Sequence, residues 1–308
     1  MNWLKVYNHC RYCKFLFIIF HKTHFDIIDK LKSQTVSLIY KESLNLKLIE
    51  INRESNVKIH VLLSKKNLFM GLYSLHSFLR FCKEPPSLII HDDGSMNDCD
   101  YFILNSKFPG VKIVTRHEAD NKVTNLLDKY SSLWRAKSNF ALKLFDFLIL
   151  GSSDRIHLDS DILFFSRPYH ILDDYYTDYK YIYGFERGEG LVRNQARSKY
   201  PKAFKEMNTG LMKISDETDK MKILASYEQI CSWFIRNHGN FPFRYGCDQL
   251  IQSIYLGEER RFECMPLPEL YSNHPTKNSL NRISVHYTAG FKELFLLDGL
   301  KRIAKQYL

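Results

Sequence analysis

The chain has 308 residues, 45% of them hydrophobic and 25% charged, values ordinary for a soluble globular protein with room for one large α/β domain or two small ones. Its formal net charge of +10 favours anionic partners, but the basic residues are scattered among acids, which argues against a nucleic-acid footprint. A nucleoside diphosphate needs only two or three convergent cations, and 22 Phe, 19 Tyr and 3 Trp supply faces for base or sugar rings. The seven cysteines are odd in number, and Cys82, Cys231 and Cys264 stand in apolar or aromatic surroundings, as expected of a reduced cytoplasmic protein.

In chain order, residues 1–54 read as an extension, with a short helix at 25–31 and a strand-like stretch at 36–40. The apolar run 15–20 is too short to cross a bilayer and does not make a signal peptide. Between Lys14 and Lys22 it leaves two readings open: packing on its own domain or a second subunit, or peripheral contact with an anionic inner membrane face. Cys10, Cys13, His21 and His24 have zinc-like spacing, but the apolar run between them reads as packing.

From residue 55 the pattern becomes regular and predicts a single domain running to 308. Strands are expected at 57–63, 88–91, 111–114 and 156–158, with helices at 68–81, 97–107, 123–130 and 137–150 between them. This alternation predicts a mostly parallel twisted sheet flanked by helices, with ligands at the carboxyl ends of strands. The second half is less periodic. A Tyr- and Asp-rich stretch at 169–183 and a polar loop at 184–199 precede a strand entry at 208–212. Helices follow at 218–237 and 247–255, a strand end at 284–286, and an amphipathic helix at 296–307. No glycine-rich phosphate loop of either common type occurs, so side chains and a metal must hold any phosphate.

The most informative segment is Arg155-Ile-His-Leu-Asp-Ser-Asp-Ile-Leu-Phe-Phe165. Alternation puts Ile156 and Leu158 on one face, and Asp159 and Asp161 share one side of an extended backbone. Two anions held so close raise each other's cost of ionisation, and a divalent ion with oxygen ligands relieves it. Far downstream, His286 ends a short β-branched strand. Gly290 permits a sharp turn or close ligand approach, and Lys292 is a point charge suited to phosphate. Together these supply two carboxylates, one imidazole and diphosphate oxygens for a single ion.

Asp159-Ser160-Asp161 resembles the metal-binding Asp-x-Asp motif of glycosyltransferases of the GT-A fold. His286, Gly290 and Lys292 are similar to the C-terminal His-Gly-Lys cluster of the glycogenin and galactosyltransferase-like family, numbered eight. Ser74-Leu-His-Ser-Phe78, Leu88-Ile-Ile-His-Asp-Asp-Gly-Ser95, Arg116-His-Glu-Ala-Asp120 and Lys143-Leu-Phe-Asp146 resemble a related bacterial group of sugar transferases. The likeness spans residues 57–308. Two departures stand out: glycine comes four residues after His286, where the family places it three after, and Glu293-Leu294 follows Lys292 in place of Pro-Trp.

The resemblance implies metal ligands at Asp159, Asp161 and His286, and a diphosphate contact at Lys292. It implies a nucleobase site near Ser64 and further nucleotide contacts at Asp92 and Asp93, although both could equally cap the following helix with Ser95. Arg116 and Lys143 would meet the phosphates from the opposite side. Asn208-Thr209-Gly210 resembles the Asn-Ser-Gly loop lining the sugar site, where a tight turn would need the same residues. Asp248, which opens a helix and could simply cap it, is implied near the acceptor and anomeric carbon, with Gln249 as the competing catalytic candidate. The expected activity is transfer of a hexosyl group from a UDP-sugar, with Mn²⁺ or Mg²⁺, to a hydroxyl on a glycan or lipid-linked saccharide. A metal-dependent nucleotide-sugar hydrolase and a non-enzymatic glycan- or nucleic-acid-binding module stand as alternatives.

Overall fold

The computed structural model describes residues 45–307 apart from 152–153, 174–177, 187–193, 216–218, 239–246, 273, 276–280 and 289–290. The expected elements around 15–40 therefore lie outside the described residues, as do Gly290 and the Cys10–His24 spacing.

Alternation along the first strand explains the layering. In β1 (Lys58–Leu63), Ile59, Val61 and Leu63 are buried on one face, and His60 is buried on the other. The odd-numbered set packs against α1 (Leu68–Leu79), which is buried on nearly every side. The opposite face is covered by α5 (Asn139–Leu150), whose Phe147 ring stands 5.3 Å from the His60 ring. Both faces of the strand are thus covered, as expected of a strand with helices on each side of its sheet.

Strands β2 (Ser87–Asp92), β3 (Lys112–Val114), β4 (Arg155–Leu158), β6 (Tyr181–Phe185), β7 (Met207–Ile214) and β8 (Cys264–Pro266) join β1 in one sheet of order β3-β2-β1-β4-β7-β6-β8. The β3-β2, β2-β1, β1-β4 and β6-β8 pairs are parallel, while β7 runs antiparallel to both β4 and β6. The mixed α/β architecture and mostly parallel sheet agree with the expectation. A second, three-stranded sheet was not foreseen. It has order β5-β10-β9, made of β5 (Ile162–Phe164), β9 (Tyr271–Ser272) and β10 (Ser284–His286).

The helix expected at 123–130 is replaced by two, α3 (Arg116–Val123) and α4 (Lys129–Lys137). A capping box starts the first: the Thr115 side chain accepts from the Glu118 amide, and Glu118 accepts from the Thr115 amide. The second starts where the Glu228 carboxylate accepts from the Tyr130 and Ser131 amides, a cap supplied from 98 residues away in sequence. Asn97 and Asp100 form another capping box at α2 (Asp98–Lys107). Two long helices, α6 (Lys220–His238) and α7 (Cys247–Glu259), complete the core around β6 and β7, and α8 (Leu300–Tyr307) ends the chain. Each fully buried Leu or Phe in these cores contributes about 1.5–3 kcal/mol.

Residues 46–308 form one compact unit. The Ile49 and Ile51 amides donate to the Lys107 and Pro109 carbonyls at 2.9 and 2.8 Å. At the expected break, Gly110 takes φ +94°, open to glycine without strain. Cys82, Cys99, Cys231 and Cys264 form no disulfide. Among the described residues no helix is long and apolar enough to cross a membrane.

Candidate active site

The carboxyl ends of β1, β2, β4 and β6 lie at one edge of the large sheet, and antiparallel β7 starts there. Leu158 pairs with Leu211, and the Asp159 amide then donates to the Gly210 carbonyl at 2.7 Å. Helix α1 holds the turn from behind. Ser74 Oγ donates to the Asp159 carbonyl at 3.0 Å, and Ser77 Oγ accepts from the Phe164 amide at 3.1 Å. The chain enters the second sheet at once, where antiparallel pairing of Ile162 with His286 sets the imidazole beside Asp161. The Tyr287 amide locks this register by donating to the Asp161 carbonyl at 2.8 Å.

The result is a compact donor set. His286 Nε2 stands 2.9 Å from Asp161 Oδ1 and 3.6 Å from Asp159 Oδ2. One ligand atom from each of the three side chains lies within 4.8 Å of the others. Two hard carboxylates and an imidazole suit Mn²⁺ or Mg²⁺ coordination with positions left for ligand oxygens. Gly210 presses against the back of the imidazole, where an added Cβ would stand 2.4 Å from His286 Cε1.

The charges interlock. Burial raises the Asp159 carboxyl above its ordinary range, more than the neighbouring Lys143 and His286 cations lower it. Asp161 is also buried, but the facing His286 and Lys292 outweigh that effect and hold it below the ordinary range. His286 is pushed down by burial and up by Asp161 and Asp159, and the carboxylates win. A divalent cation in the same place would supplant the imidazolium as counter-charge.

Around this set opens a cleft of about 610 Å³. Sheet order distributes its walls. Toward β1 and β2 stand Leu62, Ser64, Asn67, Asp93, Asn139 and Phe140; toward β7 and β6 stand Glu186, Asn208, Thr209, Gly210, Asp248 and Gln249. Ser160, Lys143, Thr288 and Lys292 also face it. Ser64 caps the helical turn at Lys65–Asn67, accepting from the Asn67 amide. Asp93 Oδ2 accepts from Asn139 Nδ2 at 3.1 Å. Lys292 Nζ lies 3.7 Å from Asp161 Oδ2 and is 42% exposed, free to turn toward a phosphate.

Two sequence candidates stand away from the cleft walls. Asp92 is buried, accepting from the Gly94 and Met96 amides and from the Tyr101 hydroxyl. Its role is the turn after β2, while Asn97 caps the following helix. Arg116 pairs with Asp120 at 2.8 Å beneath the Gly94 turn and is not among the lining residues.

Lys143 and Asp248 form the floor. Lys143 Nζ lies 2.6 Å from Asp159 Oδ1 and 3.2 Å from Asp248 Oδ2, and Thr209 Oγ1 donates to Asp248 at 2.9 Å. Asp248 is 2% exposed and lines the cleft, and its Oδ2 takes both Lys143 and Thr209. Asn208 Oδ1 accepts from the Gly210 amide at 2.8 Å, fixing the short turn of the Asn-Thr-Gly loop.

Glu186, which no sequence motif marks, follows β6 as Asp159 follows β4. Its Oε2 accepts from Asn208 Nδ2 at 3.2 Å and from Gln249 Nε2 at 3.3 Å. The signal was present in Tyr-Ile-Tyr-Gly-Phe-Glu186, an apolar strand ending on a carboxylate, but the tyrosine-rich stretch before it hid the strand.

No protein-family model matches the chain, and no curated protein matches it in sequence. Solved structures do match in shape. Mouse xyloside xylosyltransferase 1 in its apo form superposes with a TM-score of 0.52 at 14% identity, covering 79% of this chain and 99% of that one. The apo WbbM bifunctional glycosyltransferase gives a TM-score of 0.58 at 13% identity over 83% of this chain, which spans 51% of WbbM. The fold is the GT-A glycosyltransferase fold. In open α/β sheets the crevice outside the carboxyl ends of the strands is the usual place for a ligand, and the Asp159 cluster lies at that edge.

Proposed function

We propose that the chain is a divalent-metal-dependent glycosyltransferase that moves a hexosyl group from a UDP-sugar to a hydroxyl acceptor. The observation carrying this reading is the Asp159, Asp161 and His286 donor set, its atoms within 4.8 Å of one another in the cleft. When bound, Mn²⁺ or Mg²⁺ supplies Lewis-acid neutralisation of a diphosphate and of its charge on leaving. Lys292 adds a positive charge at the same oxygens. The Ser64, Asp93 and Asn139 end of the cleft receives the base and ribose. Asn208, Gly210 and Gln249 border the transferred sugar, whose carbon becomes oxocarbenium-like as the bond to phosphate breaks. Asp248 acts by position, holding Lys143 against Asp159 and Thr209 in the sugar-side wall. The resemblance of the motifs supports uridine as base and a glycan or lipid-linked saccharide as acceptor.

The test is thermal unfolding with UDP, with and without Mn²⁺, for the wild type and Asp161→Asn. A ligand bound only by the folded state raises the midpoint. UDP with Mn²⁺ should stabilise the wild type far more than UDP with a chelator, and Asp161→Asn should erase the difference. Equal shifts with metal and chelator would overturn the metal-bridged reading.

A further inference from the structure

His274 lies twelve residues before His286, in the connection between β9 and β10, and belongs to neither the metal set nor any motif in the sequence. Its ring is held on two sides. Nδ1 lies 3.4 Å from Thr288 Oγ1, and the ring centroid is 5.1 Å from that of Phe291. The backbone is fixed too, since the His274 amide donates to Ser272 Oγ and Ser272 Oγ donates to the His274 carbonyl. In the tautomer where Thr288 Oγ1 donates to Nδ1, Nε2 carries the proton and is the donor.

That nitrogen faces Glu186 Oε1 at 3.8 Å. The separation exceeds a direct hydrogen bond, yet one hydroxyl oxygen fits about 2.7–2.9 Å from both atoms. Glu186 is equally prearranged. Its other oxygen takes the Asn208 and Gln249 amides, which aims Oε1 across the gap. His274, Asn208 and Gln249 together hold Glu186 ionised, with its pKa below the ordinary range against the effect of partial burial. A carboxylate acceptor and an N–H donor, each oriented by its own partners, match a hydroxyl that donates to one and accepts from the other.

We infer that Glu186 and His274 are a sugar-binding pair that grips one hydroxyl of the transferred hexose and so selects among nucleotide sugars. Glu186 lines the cleft and His274 adjoins it through Glu186 and Thr288, a placement that commits the pair to the donor sugar. Asn208 bonds Glu186 and also the Gly210 amide, and Gly210 abuts the metal-set imidazole, so the pair stands one short turn from where a diphosphate would be held. The inference rests on the glycosyltransferase reading above and adds the residues that read the sugar.

Calorimetric titration in Mn²⁺ with UDP, UDP-glucose, UDP-galactose and UDP-xylose tests it on the wild type, Glu186→Gln, His274→Ala and His274→Gln. The wild type should bind at least one UDP-sugar more tightly than UDP. That preference should fall about 10–100-fold in Glu186→Gln and His274→Ala, the usual loss for a hydrogen bond involving a charged group. His274→Gln, which keeps an N–H donor, should recover part of it. UDP affinity itself should be the same in all four proteins, and its retention also shows that each variant is folded. A wild type that binds every UDP-sugar no better than UDP would overturn the inference, as would an unchanged preference in both Glu186→Gln and His274→Ala. A loss of UDP affinity equal to the loss for the sugars would overturn it too. Failure of the wild type to bind UDP at all would defeat the underlying reading instead.

Discussion

Gly210 is the residue on which the donor set is most sharply balanced. An added Cβ would meet His286 Cε1 at 2.4 Å and Nδ1 at 2.9 Å, and a buried imidazole has no flexible end to swing aside. Gly210 does not take a positive φ, so alanine introduces a clash without a backbone penalty. Gly210→Ala should therefore displace the imidazole and weaken Mn²⁺ binding about 10–100-fold, the range seen when groups supporting metal ligands are altered. Calorimetric Mn²⁺ titration measures this, and unchanged affinity would remove His286 from the donor set. The residues legible from sequence were those whose chemistry is local in the chain: Asp159 and Asp161 between two apolar runs, and His286 at a strand end. Glu186 had a local signal, an apolar strand ending on a carboxylate, masked by the tyrosines before it, whereas His274 has none, because its meaning comes from facing Glu186 across 88 residues of sequence. The same logic explains Lys143. A lysine inside an apolar helix pattern reads as a phosphate ligand, and only the fold shows two carboxylates already around it, half-buried Asp159 and buried Asp248.

At the scale of elements, the central strands and helix α1 were readable because each buries an apolar pattern of its own period. The region from 116 to 137 was not, since its helices are set by polar contacts rather than by hydrophobic spacing. Arg135 is the hub there. It grips Asp146 of α5 through Nε at 2.6 Å and Nη2 at 2.9 Å, and reaches Asp120 of α3 through Nη1 at 2.6 Å. Asp120 in turn accepts from Arg116, so one guanidinium clamps three helices and accounts for Arg116 lying away from the cleft. Arg135 and Asp146 are both almost fully buried, and removing one member leaves the other charge unpaired. Arg135→Leu should cost about 3–5 kcal/mol of unfolding free energy. Urea denaturation gives the value, and a loss under about 1 kcal/mol would show that these helices are held by packing alone. The small sheet escaped the sequence reading for a related reason: its strands are three residues or fewer, too short to show alternation.

For the molecule as a whole, acid sensitivity follows from three histidines at the centre of the large sheet. His60, His91 and His157 project from β1, β2 and β4 toward Phe147, with His60 Nδ1 2.9 Å from His91 Nε2. Burial is the main force holding them neutral. It lowers His91 to about 3 and moves His60 and His157 well below their usual value, helped at His60 by His91 and His157 and at His157 by Arg155. Their other charged neighbours, Lys58, Lys112 and Lys143, act in the same direction. In the unfolded chain each titrates near 6.5, so above that pH both states carry the same protons and stability is at its full value. As pH falls below 6.5 the unfolded chain gains protons that the folded one refuses. Stability then declines by up to about 1.4 kcal/mol per pH unit for each histidine. His286 works in a different window: despite burial, Asp161 and Asp159 hold it above its usual value, so its contribution to stability builds as pH falls toward 6.5 and is then fully present, adding no slope below 6.5. A single-site variant isolates the trio. His91→Phe keeps a ring against Phe147, and its unfolding free energy should fall less steeply between pH 6.5 and 5 than that of the wild type, by about 1 kcal/mol per unit on average. Urea midpoints at several pH values in chelator give both slopes, and parallel slopes would mean that His91 takes up its proton inside the folded sheet.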